Sequence, residues 1–218
     1  HALDARSLVR DVFGPTVGIA NGVIPETVSG HAPAPCADLC EYDVAAAKAA
    51  LARAYPNGGV PSIAIDYDAT PAQHTLAAKV VTQLAAVGIT ATPRPHDPAA
   101  YDDFLANETP DLFRLGWVAA DASAEAFLLP VFASGAPENV AHLSSPVSDL
   151  LLVAASREGD VDERAALYRR AERAVLEQRA VKPVVQYRTR YLLREPLTGL
   201  VVDALGGAFT GYVGMAGR

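Results

Sequence analysis

The stretch DLFRLGWVAADASAEAFLL, residues 111–129, carries the densest set of groups able to bind something. A strand-like run reaches Gly116 and Trp117, the single tryptophan of the chain, and then breaks into a small-residue turn bearing acids, Asp121 among them. A strand that delivers a lone aromatic to a polar turn sets a flat apolar platform beside hydrogen-bonding groups, because loops at strand ends hold binding groups on a rigid base. Arg114 precedes the platform, and Tyr101 stands on a short helical stretch upstream. Large aromatics are mostly buried, so the residues alone leave Trp117 between a core place and a ligand-facing one.

Other reactive residue types are sparse. The only cysteines, Cys36 and Cys40, sit in PAPCADLCEYD. A close pair with no other cysteine suits a small local disulfide and an oxidising compartment. Free thiols are one alternative, and a metal site adding His31 is another, although further ligands at workable spacing are missing. The five histidines, at positions 1, 31, 74, 96 and 142, are dispersed. Asp66 and Asp68 lie at i, i+2 of a strand and so share one face, while Asp102 and Asp103 are helix neighbours that point apart. There is no G-x-S-x-G elbow, no glycine-rich phosphate loop ending in Lys-Ser/Thr and no H-E-x-x-H helix. No acid, base or nucleophile stands in a recognisable catalytic setting, so an enzyme is not expected, and no cofactor or metal is implied.

Composition narrows the partners. Half of the 218 residues are hydrophobic and 20% are charged, which is the balance of an ordinary globular chain. A net charge of −7 with scattered Lys and Arg leaves no basic footprint for nucleic acid or an anionic membrane surface. No apolar run approaches the roughly 18 residues of a membrane span.

The elements that must position these residues follow from periodicity. Leu3, Leu8, Val12 and Phe13 open an amphipathic pattern with no capping residue in front, so the chain is expected to start inside a helix of a longer protein. Residues 14–35 read as a long ordered loop over the surface. Asp43 caps a helix that Tyr55-Pro56 ends. Ile63, Ile65 and Tyr67 alternate as a strand, and Thr70-Pro71 opens a helix that Gly88 closes. Ile89 to Thr92 follows as a strand, which makes a βαβ unit. A second crossover through Tyr101–Leu105 leads to a central strand ending at Trp117, and Ser123–Leu129 forms one or two helical turns before Pro130. Asp149–Ala155 is helical, and Asp160 with Glu163 offers a capping box for a helix to about Arg179. On that helix Arg164, Arg169, Arg170, Arg173 and Glu177 read as a solvated face rather than an anion site. Residues 184–187, 191–193 and 200–202 suggest further strands, and the glycine-rich tail 206–218 is expected to be partly ordered at best.

Several stretches, taken in order, resemble the extracellular solute-binding proteins of family 5, the oligopeptide-, dipeptide- and nickel-binding components of ABC importers. They are ALDARSLVRDVFG, EYDVAAAKAALARA, LAAKVVTQLAAVGITATPRP, AYDDFLANETPDLFRLGWVAADASAEAFLLPVFASG, DERAALYRRAERAVLEQRAVKPVVQYRTRYLLR and GLVVDALGG. The resemblance implies an α/β fold: a periplasmic-binding-protein-like lobe with a βαβ-containing mixed sheet flanked by helices. It further implies that residues 1–185 form the C-terminal ligand-binding lobe and that 186–218 return toward a first lobe absent here. The expected protein binds a peptide or similar small solute between two lobes and delivers it to membrane permease subunits, outside the cytoplasm and on a lipid anchor. A sugar or a metal chelate, or a protein-interaction role without solute, are the other readings. The residues implied for ligand contact are Trp117, Asp121, Arg114 and Tyr101. Peptide-binding members carry W-x-x-D, whose aspartate pairs with the ligand's ammonium. Here Ala120 occupies that place and Asp121 follows one residue later, where an extended or turn backbone can aim it to the other side.

Overall fold

A computed structural model describes residues 1–215. The chain opens with helix α1, Ala5–Val12, and strand β1, Gly18–Ile19. It continues through α2, Val44–Ala54; β2, Ile63–Asp68; α3, Pro71–Val87; β3, Ala91–His96; α4, Tyr101–Asn107; and β4, Leu112–Phe113. Three helices follow: α5, Ala124–Phe132; α6, Pro146–Arg157; and α7, Val161–Glu177. Five short strands close it: β5, Val185–Gln186; β6, Leu197–Thr198; β7, Val201–Val202; β8, Ala208–Phe209; and β9, Gly214–Met215.

The βαβ unit forms as its periodicity predicts, and α4 supplies the second crossover. Strand order is β3-β2-β4, every pair parallel, so β2 is central. The expected central strand ending at Trp117 is instead the two-residue edge strand β4, and the chain leaves the sheet after Phe113. The expected mixed sheet is likewise parallel throughout, with antiparallel pairing confined to the ribbons β1-β5, β6-β9 and β7-β8. β3 begins later than expected and runs through Pro93 and Pro95. Its even residues face β2, as Thr90 and His96 show by accepting the amides of Ile63 and Ala69. The two prolines therefore fall where an edge strand needs no donor.

Helix ends explain two further differences. α1 is not cut: Asp4 caps it by accepting the amides of Arg6 and Ser7. α5 does not stop at Pro130 but carries it inside, with Ser123 accepting the amide of Ala126 at its start. Asp43 caps α2, Gly88 closes α3 in the left-handed region at φ 99°, and Asp160 caps α7.

The main core lies among α5, α6 and α7. Phe127, Leu128, Val131, Phe132, Leu152 and Val175 are buried together with Ile24 and Val28. The last two belong to the loop expected to cross the surface. That loop turns inward because Glu172 of α7, fully buried, accepts the amides of Val23 and Ile24 on one oxygen, at 2.6 and 2.9 Å. Gly22 passes so close that a Cβ there would lie 2.5 Å from the same oxygen. Farther along the loop, Cys36 and Cys40 are joined in a disulfide, Cα atoms 5.3 Å apart. Arg173, Arg179 and Lys182 donate to the carbonyls of Pro35, Leu39 and Cys40. Arg173 also pairs with Asp38 and Glu177, so this part of the supposed solvated face is a loop clamp. No described helix is long and apolar enough to cross a membrane.

Of the glycine-rich tail, residues 206–215 carry β8 and β9, and 216–218 lie outside the described residues. Residues 191–193 are not in a strand.

Candidate functional site

The site is built at the carboxyl ends of the parallel strands, where open α/β sheets place their ligands. The chain leaving β4 is tied back to β2 at once: the Arg114 amide donates to the Asp66 carbonyl at 2.9 Å. Tyr101, at the start of α4, is buried, and its hydroxyl lies between the carbonyl oxygens of Asp66 and Arg114, at 2.9 and 2.7 Å. Burial pushes the phenol's pKa up, which keeps it a donor. Among the four residues implied for ligand contact, then, Tyr101 stands behind the site and holds β2 to the segment bearing Arg114.

Arg114 itself folds over Gly116. A Cβ there would lie 2.8 Å from its guanidinium, so the side chain crosses the backbone where glycine leaves it room. Its Nη1 reaches Asp68 Oδ1 at 3.5 Å, a charge pair too long for a good hydrogen bond, and that oxygen is buried with no hydrogen-bond partner. Trp117 is half-buried against the α5–α7 core, and its indole N–H donates to the Ala126 carbonyl at 2.8 Å. Ala120 and Asp121 are exposed. One carboxylate oxygen of Asp121 accepts the Ser123 amide at 2.9 Å, which shapes the turn into α5. The fold thus joins Tyr101 to Arg114 directly, and it fixes Trp117 and Asp121 to the two ends of the loop that opens α5.

A polar cluster that sequence reading left as two acids on one face lies beneath. Fully buried Asp66 accepts from Arg94 Nε and Nη2 at 3.0 and 2.7 Å and contacts His96 Nε2 at 2.6 Å. His96 stacks on Phe104 of α4, centroids 4.0 Å apart. The parallel register sets Asp66 beside Arg94 and Asp68 beside His96. The matching alternations D-Y-D and R-P-H were the available signal, but register is needed to use it.

A cavity of about 360 Å³ opens between α4 and the loop before α6, lined by Leu105, Ala106, Ser134, Asn139, His142 and Leu143 among others. It includes none of the four residues implied for ligand contact. Asn139 organises its wall by donating to the carbonyls of Ala133 and Leu143 and accepting the Leu143 amide. Among the described residues no group of three or more His, Cys, Asp or Glu could hold a metal, and neither cysteine is free.

Comparison with known proteins defines the class. HbpA2 from Haemophilus parasuis superposes with a TM-score of 0.85 at 22% identity, over 99% of this chain and 43% of that one. The periplasmic binding protein DppA from Helicobacter pylori, solved in complex with the peptide STSA, gives 0.76 at 22%, over 99% and 42%. The fold is that of periplasmic binding proteins, and the chain spans less than half the length of these structures. In sequence, the periplasmic murein peptide-binding protein MppA of Escherichia coli K12 is 30% identical over 93 residues, 43% of this chain and 17% of that protein. Residues 1–139 match the family described as bacterial extracellular solute-binding proteins, family 5, middle. The chain belongs to that family.

Proposed function

We propose that this chain is the ligand-binding lobe, residues 1–185, of a substrate-binding component of an ABC importer, and that it takes a peptide or similar small solute. Residues 186–218 would return toward the first lobe. The observation that carries this reading is the segment 114–123, tied at its start to β2 and Tyr101 and at its end to the turn into α5, at the carboxyl edge of the parallel sheet. In the proposed site Trp117 offers the flat face, Arg114 the cation and Asp121 an acid at the rim, with Tyr101 fixing Arg114 from behind. Asp68 gives Arg114 an electrostatic partner at 3.5 Å, leaving guanidinium donors for an anionic ligand group. The relatives named as peptide-binding support a peptide, and the family description supports a place outside the cytoplasm; in this reading the protein sits on a lipid anchor and hands its solute to permease subunits.

Ala120 sets the specificity in this reading. An exposed methyl gives an ammonium nothing to pair with, so a free amino terminus contributes little to affinity. With one lobe the chain should bind weakly; a Kd near 1 mM corresponds to about −4 kcal/mol. Amide and indole NMR spectra of the chain titrated with trialanine and N-acetyl-trialanine provide the test. Similar shifts for both peptides at Trp117, Arg114 and Asp121 are expected. Shifts elsewhere or none at millimolar peptide would sink the site, and a response confined to the free amine would sink the specificity.

A second reading is favoured by one surface. Leu192, Phe209, Tyr212 and Met215 of the return segment are all exposed, Leu192 completely. Exposed apolar side chains spread along the return segment suit a protein-interaction role without solute.

A further inference from the structure

Pro130 occupies the interior of α5, where a proline removes one helical donor and pushes on the carbonyl four residues back. That carbonyl belongs to Ala126. In an unbroken helix it would accept the amide of residue 130, and here it accepts the indole N–H of Trp117 at 2.8 Å instead. The two halves of the exchange are complementary. A freed carbonyl inside a helix needs a donor, and a half-buried indole needs an acceptor. Neither group offers more than one strong bond in this direction, so the indole takes one orientation and the ring face is set with it.

We infer that Pro130 is a positioning residue: by releasing the Ala126 carbonyl it fixes the indole of Trp117, and hence the flat face that a ligand would meet. The inference rests on the proposed function only in its last clause. The rest of the loop is built to the same end. Ser123 caps α5, Asp121 accepts the Ser123 amide, and buried Phe127 and Val131 anchor α5 in the core against which Trp117 packs. The core packs one part of the ring, and the Ala126 carbonyl is the hydrogen-bond attachment that sets where the indole N–H points.

Because Trp117 is the single tryptophan, its fluorescence reads this contact without interference. The Pro130→Ala chain regains an amide at position 130 that competes for the Ala126 carbonyl. Its tryptophan emission should move, its anisotropy should fall and acrylamide should quench it more readily, with helix content by circular dichroism kept or slightly raised. A folded Pro130→Ala chain with unchanged emission, anisotropy and quenching would overturn the inference. A stability cycle gives an independent reading. Trp117→Phe strands the carbonyl in the natural chain but not in the Pro130→Ala background, so it should lower Tm more in the former. Equal losses in both backgrounds also overturn it. If trialanine leaves the Trp117 emission of the natural chain unaltered while the cycle shows coupling, the ligand-facing reading fails and the positioning of the indole by Pro130 stands.

Discussion

Glu172 shows what one buried carboxyl can do to a long loop. One oxygen holds the amides of Val23 and Ile24, and the other is buried without a hydrogen-bond partner. Desolvation raises its pKa above the ordinary glutamate value, against the opposing pull of the two amides. The sign follows directly. Between the unfolded and the raised folded pKa the native state holds more protons, so Glu172's contribution to stability is greatest in acid and is lost as pH rises through the folded value. Glu172→Gln keeps an acceptor for both amides without the charge. Its stability relative to the natural chain should therefore increase from pH 4 toward neutrality, measured as Tm against pH; a difference that is flat with pH would show that Glu172 does not titrate this way. Glu172→Ala should cost about 2–4 kcal/mol in acid, because two buried amides lose their partner, and less as pH rises. Trp117 illustrates the opposite case, a residue whose type was informative while its surroundings were not. Its indole donor and half-buried ring became known only with the position of Ala126.

At the scale of elements, the shortest strand of the sheet leads into the candidate site. β4 has two residues, and its hold on β2 is supplemented by the Tyr101 hydroxyl set between the carbonyls of Asp66 and Arg114. Tyr101→Phe removes that bridge without changing the packing. It should cost about 1–2 kcal/mol and should speed hydrogen exchange at the Arg114 amide more than at β3 amides; uniform exchange would mean that β4 is held by its ladder alone. Elements with strong local signals were legible. β2 and α3 follow from alternation and from a proline start with a glycine stop, and Asp43 and Asp160 cap the helices expected of them. The misses share a cause. α5 runs through Pro130 while a side chain distant in the loop supplies the missing donor, and past the two residues of β4 the Tyr101 hydroxyl takes over part of the hold on β2. Neither partner is visible in a local window. At the other end, Leu3 merged with the helical pattern and hid Asp4, whose role as a cap depends on backbone geometry rather than on periodicity.

For the molecule as a whole, the contrast between its two ends matters. The helical layer of α5, α6 and α7 buries its apolar face, while the strands after β5 leave theirs open. Exposed apolar side chains on and between marginal two-stranded ribbons favour association. Sedimentation of the chain should therefore show concentration-dependent self-association, which Leu192→Ser combined with Tyr212→Ser should weaken. A monomer at every concentration would remove the reason to place residues 186–215 against another surface. The same experiment in the presence of a first lobe would distinguish a lobe partner from a second copy.

The sequence by itself determined the crossovers of the α/β unit, the order of most elements and the family resemblance, because these rest on periodicity, caps and ordered local patterns. It also named Trp117, Arg114, Asp121 and Tyr101 as the residues to follow. Only the tertiary structure decided what each of them does. It turned Tyr101 inward, set Arg114 over Gly116 beside Asp68, and tied the indole to a carbonyl opened by a proline thirteen residues on. Those outcomes depend on which donor meets which acceptor across the fold, and burial makes each such pairing obligatory without revealing it in the order of residues.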